Sequence, residues 1–334
     1  MSDPARPVVL ITGATGALGP AVIRAFSADR WNIRTLSRKC PERWTPAASH
    51  PHFSADLEDR ETLRRAMDGA DTVVHMAALL HVFDQSASLD EYRRVNVGGT
   101  AAVLAAARER SVRRVVALSS IAVYGPRADV VDEQTPPAPD TPYGLSKLEA
   151  ERRVLEMDAA AGGRLGSVLR LAAVYGPSVK GNYERLVRAL ARRRFVPVGS
   201  GGNTRTVVFE DDAAQAILLA ASRPAAGGEL FNVTDGEIHT VAEISSAIAQ
   251  ALGRRPPRLA VPPRLAFHGV TAAEALFRLA GRRSPVTKAT LEKYLESVAV
   301  SGRRIHERLG FEPRWRLADG WRHTVAELRR EGRL

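Results

Sequence analysis

The chain has 334 residues, 45% apolar and 25% charged, an ordinary globular composition that excludes disorder, collagen and coiled coil. Its 48 Lys and Arg exceed 37 Asp and Glu by 11, but the arginines lie in short clusters such as Arg192-Arg193-Arg194 without interleaved aromatics, which reads as a solvated surface rather than a nucleic-acid partner. The single cysteine, Cys40, rules out a disulfide framework or multi-cysteine metal site, no apolar run is long enough to span a bilayer, and no leader is read before the first strand, so the expectation is a soluble, cytoplasmic protein with no metal and no membrane partner.

In chain order, Val8–Ile11 reads as a buried strand, and Thr12-Gly13-Ala14-Thr15-Gly16-Ala17-Leu18-Gly19 follows it directly, opening a helix over Ala21–Phe26. Glycines at 13, 16 and 19 suit a tight turn, close approach of backbone to a pyrophosphate, and close packing of helix on strand. The backbone of Thr15, Ala17 and Leu18 completes a helix N-terminus with free N–H groups, the usual seat of a dinucleotide. A second strand, Ile33–Leu36, ends in Ser37-Arg38-Lys39. An NAD site usually carries an acid there for the ribose 2′-hydroxyl; Ser37 offers none, and Arg38 can pair with a 2′-phosphate, so the reading is NAD(P) with NADP(H) favoured over NAD(H). An exposed basic turn is the bland alternative.

Asp56-Leu57 closes the next short strand, where a carboxylate can receive the adenine amino group, and Glu61–Met67 has helical spacing. Thr72–Val74 is the following strand, and His75-Met76-Ala77-Ala78 follows it, with Ala77 and Ala78 small enough to leave room for a cofactor ribose and His75 read as a packed histidine. After a helix over Gly99–Ala107, the strand Val115–Leu118 runs into Ser119-Ser120 at the carboxyl edge, where open α/β sheets bind ligands. Tyr143 and Lys147 stand four apart, on one face of a helix. An ammonium beside a phenol favours the phenolate, so Tyr143 is expected to be drawn towards neutrality and to exchange a proton with a substrate oxygen while Ser120 donates a hydrogen bond to it. Val168–Leu171 is a further strand. Beyond Pro177 helical stretches dominate (Tyr183–Arg194, Asp212–Ser222, Val241–Leu252), broken at Arg255-Pro256-Pro257 and Val261-Pro262-Pro263, with Phe231-Asn232-Val233 reading as a strand that returns to the first sheet.

The glycine loop, Ser120, Tyr143 and Lys147 resemble the extended short-chain dehydrogenase/reductases, within them the NAD-dependent epimerases/dehydratases of nucleotide sugars. Asn96-Val97-Gly98-Gly99-Thr100, Val123-Tyr124-Gly125, the turn Pro139-Asp140-Thr141-Pro142 and Arg170 to Pro177 share the resemblance. The alternation of strands with helices gives an α/β fold, a Rossmann-type doubly wound parallel sheet over residues 1–176 with 205–235 returning to it. The change of rhythm after Pro177 gives a smaller, mostly helical substrate-binding portion over 177–334, and the resemblance agrees with both. The resemblance implies that Asn96 supports Lys147 through water, that Ser119, Tyr143 and Lys147 also touch the cofactor, and that two helices, Asp90–Glu109 and Tyr143–Met157, pair two copies into a homodimer. The family's dehydratases look like Asp-Glu at the places of Ile121-Ala122, and decarboxylating members keep the glutamate; Ala122 lacks it, leaving redox chemistry at one carbon.

On the substrate side, Val179-Lys180-Gly181-Asn182-Tyr183 looks like the family's sugar-diphosphate segment, and Arg205, seven residues before Asp212, like its diphosphate arginine. Two departures stand against a UDP-sugar: Ala173 replaces an asparagine of many epimerases, and Ser284-Pro285-Val286-Thr287 lies where an Arg-x-Gly-Asp element is usual. The expectation is an NAD(P)-dependent C4 epimerase or 4-ketoreductase of a nucleotide-linked sugar, a UDP-hexose or UDP-N-acetylhexosamine. The alternatives are a hydroxysteroid-like or other small-alcohol dehydrogenase and, from a different class, a non-catalytic NAD(P)-sensing protein.

Overall fold

The computed structural model describes residues 6–39, 50–80, 87–160, 162–257, 259–282, 284 and 286–334; Cys40 and Pro285 lie outside the described residues. The amino-terminal elements alternate: β1 (Val8–Thr12), α1 (Gly19–Ala28), β2 (Asn32–Ser37), β3 (His52–Ser54), α2 (Arg60–Met67), β4 (Thr72–His75), α3 (Leu89–Tyr92), a π-helical stretch Arg93–Gly98, α4 (Gly99–Glu109), β5 (Arg114–Ser120), α5 (Pro142–Glu156) and β6 (Gly166–Leu171). Then come β7 (Ala173–Tyr175), α6 (Asn182–Ala191), β8 (Thr204–Arg205), β9 (Val207–Phe209), α7 (Glu210–Ser222), β10 (Leu230–Val233), β11 (His239–Thr240) and α8 (Val241–Ala251). Four helices end the chain: α9 (Pro263–Leu279), α10 (Lys288–Leu295), α11 (Arg303–Leu309) and α12 (Leu317–Arg330).

Seven strands form one sheet in the order β10-β6-β5-β4-β1-β2-β3, and every pair in it is parallel. A parallel sheet needs cover on both faces, which is why β4 and β6 are buried along their whole length. On one face Val22, Phe26 and Ile217 of α1 and α7 pack with Ile305 of α11; on the other, Leu63, Val103 and Val154 come from α2, α4 and α5. A third cluster outside the sheet joins Val187, Ile248 and Trp321 of α6, α8 and α12. Strand order reverses between β1 and β4, and the crevice at such a switch point, past the carboxyl ends of the strands, is where a doubly wound sheet binds its ligand.

Local chemistry starts the helices where the pattern places them. Thr141 caps α5 by accepting from Gly144 N at 3.1 Å, with Pro142 in the first turn, and Thr240 and Glu243 form a reciprocal capping box on α8. α6 stops at Ala191, before the expected Arg194, because Arg193 turns to a φ of 56°. Within the mostly helical carboxyl-terminal portion, α9 to α11 were not singled out from the sequence: the two prolines that look like a break at 262–263 stand at the N-terminus of α9, where a missing N–H costs nothing.

Candidate active site

The glycine loop lies between the ends of β1, β2 and β4. Gly13 has φ +70°, and a Cβ on it would sit 2.6 Å from Ala77 N, so only glycine fits against the Ala77 backbone. A Cβ on Gly19 would sit 1.7 Å from Ala14 O, which makes that residue the point where helix and loop touch. Leu18 at the start of α1 offers no side-chain cap; Gly19 N is taken by Gly16 O at 3.0 Å and Pro20 has no N–H, so the loop amides of Thr15, Ala17 and Leu18 just ahead of the helix are the ones open to an outside acceptor. This cradle fits a dinucleotide pyrophosphate. At the end of β2, Ser37 is buried and its hydroxyl donates to Lys39 O at 2.9 Å, turning it inward, while the Arg38 side chain is exposed and has no partner among the described residues. Asp56 is exposed past β3, its Oδ1 accepting from Glu58 N, and Leu57 is buried against Gly99. Ala77 and Ala78 are half-buried, with Ala77 N directed at the Thr12 hydroxyl.

Ser120, Tyr143 and Lys147 come together at the end of β5. Ser120 Oγ accepts from Ala122 N at 3.2 Å, so its own proton is left to donate, and it is hydrogen-bonded to the Tyr143 phenol. Burial pushes that phenol up to about 12, against the opposing Ser120 hydrogen bond, and Tyr92, edge-on at 6.0 Å, adds to the rise. Lys147 is also buried; desolvation lowers it to about 8, against the supporting charge of Glu151, and its ammonium donates to the Leu118 carbonyl. The expected pull of Lys147 on Tyr143 is therefore not what sets the phenol here: the ammonium is turned to a strand carbonyl, and burial dominates. Ser119 Oγ is buried without a hydrogen-bond partner among the described residues and lines a cavity of about 10 Å³ with His75, Thr100, Lys147 and Glu151.

Asn96 sits in the π-helical stretch, a register change often found at functional sites. Its carboxamide accepts from Leu79 N at 2.7 Å and donates to Leu79 O and, at 2.9 Å, to Ser146 Oγ, which in turn donates to Tyr143 O at 2.8 Å. Its direct hold is thus on the turn that carries Tyr143, with no side-chain bond to Lys147. His75 is a packed histidine: Nδ1 lies 2.8 Å from Thr12 Oγ1, Nε2 lies 3.1 Å from Thr100 Oγ1, and burial first, then Lys147, lowers it to about 3. Two features escaped the sequence reading. Tyr92 is one, hidden by its distance along the chain. The other is the buried pair Glu151–Arg170 behind Lys147, for which the spacing of four from Lys147 to Glu151 was the available signal.

On the far side, Asn182 is exposed at the first turn of α6, and Arg205 is half-buried on β8. The Arg205 guanidinium donates to the carbonyls of Lys293 (2.6 Å), Tyr294 (3.2 Å) and Glu296 at the carboxyl end of α10, and of Thr204 at 3.0 Å. The structure does not bring Arg205 into hydrogen-bonding reach of Asn182. Among the described residues no group of three His, Cys, Asp or Glu could hold a metal ion, and no helix is long and apolar enough to cross a membrane.

Residues 9–234 match the family "NAD dependent epimerase/dehydratase family". The chain is similar to the N-acetyl-alpha-D-glucosaminyl-diphospho-ditrans,octacis-undecaprenol 4-epimerase of Escherichia coli O157:H7, 28% identical over 95% of this chain and 94% of that protein. It is similar to the ceramide reductase of Caulobacter vibrioides, 28% identical over 100% of this chain and 98% of that one. Among solved structures, MoeE5 in complex with UDP-glucuronic acid and NAD superposes with a TM-score of 0.77 at 28% identity, covering 97% of this chain and 99% of the other.

Proposed function

The chain belongs to the NAD dependent epimerase/dehydratase family, and on that footing we propose that it is an NAD(P)-dependent enzyme that oxidises and reduces one carbinol carbon, C4 of a diphosphate-linked sugar, as epimerase or 4-ketoreductase. The observation that carries this reading is the Ser120–Tyr143 hydrogen bond at the carboxyl end of β5, with Lys147 one turn along the same helix. A bound nicotinamide dinucleotide supplies the hydride acceptor and donor. Burial keeps Tyr143 as the protonated phenol, so its Oη gives that proton to the substrate carbonyl oxygen on reduction, and the phenolate so formed takes a proton back from the hydroxyl on oxidation. Ser120, positioned by Ala122 N and hydrogen-bonded to the Tyr143 phenol, donates its own proton to the same substrate oxygen and steadies the charge that develops there. Lys147, still cationic at neutral pH with its value near 8, keeps a positive charge at the carboxyl end of β5, one turn from Tyr143. Ala122 brings a methyl where elimination would need a carboxylate, which supports redox chemistry without loss of water. Arg38, exposed and unpartnered among the described residues, supports NADP(H) over NAD(H).

A second reading, a dehydrogenase or reductase of a hydrophobic alcohol, is favoured by the fate of Arg205. A guanidinium already spent on the carbonyls of α10 has fewer donors for a diphosphate. The experiment is incubation with UDP-glucose, UDP-N-acetylglucosamine, a polyprenyl-diphosphate N-acetylglucosamine, a UDP-4-ketosugar and a long-chain keto lipid, with and without NADPH, read by mass and NMR. Inversion at one centre with unchanged mass and no added coenzyme marks the epimerase. A gain of two hydrogens that needs NADPH marks a reductase, and the substrate that gains them separates the two readings. No turnover of any of these leaves only a dinucleotide-binding protein and overturns both.

A further inference from the structure

A helix on a globular protein turns its apolar stripe inward. α9 carries two. Phe267, Val270 and Phe277 are half-buried toward the body of the protein, yet none of the helix's 17 residues is fully buried. A second stripe, Leu265, Gly269, Ala272, Leu276 and Leu279, recurs at spacings of four and three along the exposed face. Leu265, Leu276 and Leu279 are 62, 67 and 85% exposed, and Leu259 just before the helix is 87% exposed. Beside this stripe run Arg264, His268, Arg278 and Arg282, also exposed. Between residues 254 and 288 there are eight Lys and Arg against one acid, Glu274, so seven of the chain's net 11 positive charges lie in this tenth of its length. Glu274 itself is half-buried and accepts from Lys288 N, away from the leucines.

We propose that α9 is an interfacial helix that docks the enzyme on an anionic lipid bilayer. The leucine stripe enters the acyl boundary and the flanking arginines meet the headgroup phosphates, the pattern of a helix that lies in a membrane surface. Charge decides between occupants. Two copies of this face would bring like charge against like charge, and a polyanion without an apolar layer would leave the leucines in water. An anionic bilayer answers both halves of the surface. The absence of any spanning run, from which no membrane partner was expected, does not bear on such a helix, because it lies along the bilayer. α9 packs on α10, whose carboxyl end Arg205 grips, so the docked face belongs to the same region as the expected substrate side. The proposal does not rest on which substrate is turned over: a polyprenyl-diphosphate sugar or a lipid alcohol would be met in that surface and a UDP-sugar would not, and its test needs no turnover.

The test is flotation of the full chain with phosphatidylcholine vesicles, with and without phosphatidylglycerol, at physiological salt. The wild type is expected to float with the anionic vesicles and far less with the neutral ones. The triple variant Leu265→Asn/Leu276→Asn/Leu279→Asn keeps the net charge and is expected to lose about tenfold or more in partitioning. Arg264→Ala/Arg278→Ala/Arg282→Ala is expected to remove the preference for phosphatidylglycerol. All these side chains are exposed, so NADPH binding and melting temperature report that the variants are folded. In the single variant Leu276→Trp, added emission that shifts to the blue and is quenched by brominated lipid confirms insertion. A leucine variant that floats like the wild type would mean adsorption by diffuse charge alone and overturns the proposal. So does a wild type that stays in solution, or light scattering in which the leucines hold two copies together without vesicle binding.

Discussion

The Glu151 carboxylate lies 2.6 Å from the Arg170 guanidinium, with both side chains under 5% exposed, one helical turn beyond Lys147. Arg170 also stands over the Tyr124 ring at 4.7 Å, and the Tyr124 hydroxyl donates to Asn232 Oδ1 at 2.9 Å, so the pair ties α5 to β6, to the turn after β5 and to β10. Removing one partner leaves a buried charge uncompensated. Glu151→Ala is therefore expected to cost about 3–5 kcal/mol in urea unfolding, and the double variant Glu151→Met/Arg170→Met less than either single Met change. Equal and additive losses would mean that the two groups act independently.

The same carboxylate props up the Lys147 ammonium, which burial has lowered to about 8. If Lys147 acts as a cation, kcat/KM should fall on the alkaline side with a midpoint near that value. Glu151→Gln should move this limb to lower pH, because it removes the charge that raises Lys147 while keeping the side chain's size. A limb that stays in place in a folded Glu151→Gln protein would dissociate Lys147 from the profile.

Tyr143→Phe removes the proton carrier and leaves the packing against Tyr92. Turnover should fall by about 10²–10⁴, while NADPH binding, followed by fluorescence titration, stays within about twofold. Ser120→Ala should cost about 10²–10³ with the same unchanged binding. Binding lost together with turnover would assign these residues to the cofactor rather than to the chemistry.

The sheet was legible because parallel strands buried on both faces must be runs of Val, Ile and Leu, and five such runs stand where β1, β2, β4, β5 and β6 are. The glycine loop was legible because its demands are local: Gly13 at positive φ against Ala77, Gly19 against Ala14. What could not be read depends on tertiary placement. No spacing says that the Lys147 ammonium turns to the Leu118 carbonyl, or that burial outweighs it at Tyr143. Nor does the sequence alone place Arg205 against the end of α10, 88 residues onward. α9 was missed for a simpler reason, since paired prolines mark a helix start as readily as a loop.

Arg38 gives a test of the cofactor reading. Its exposed guanidinium stands past β2 with no protein partner among the described residues, beside a Ser37 hydroxyl already committed to Lys39 O. One charge-assisted pair with a 2′-phosphate is worth about 1.5–3 kcal/mol, so Arg38→Ala should raise KM for NADPH by about tenfold or more and leave KM for NADH unchanged. A wild type that uses the two coenzymes equally would set NADP(H) aside.

His75 links the loop to Asn96 through a fixed tautomer. Thr100 Oγ1 donates to Asn96 O at 2.6 Å, so it accepts from His75 Nε2–H; His75 Nδ1 then accepts from the Thr12 hydroxyl, which itself faces Ala77 N. A second proton would have no acceptor there, and burial lowers the folded value from 6.5 to about 3. As pH falls below 6.5 the unfolded chain takes up a proton that the native state refuses, so the stability from neutral His75 is whole above 6.5 and drains away towards 3. Glu210 works in the other direction. Burial raises it to about 7 from 4.5, against the hydrogen bonds from Ser178, so its contribution falls as pH rises between those values. The difference between two proteins isolates the histidine. His75→Gln keeps one donor and one acceptor, and it should be less stable at pH 7 but lose melting temperature more slowly than the wild type between pH 6 and 4, by up to about 1.4 kcal/mol per pH unit for one proton. Parallel melting curves would show that acid unfolding starts at another group.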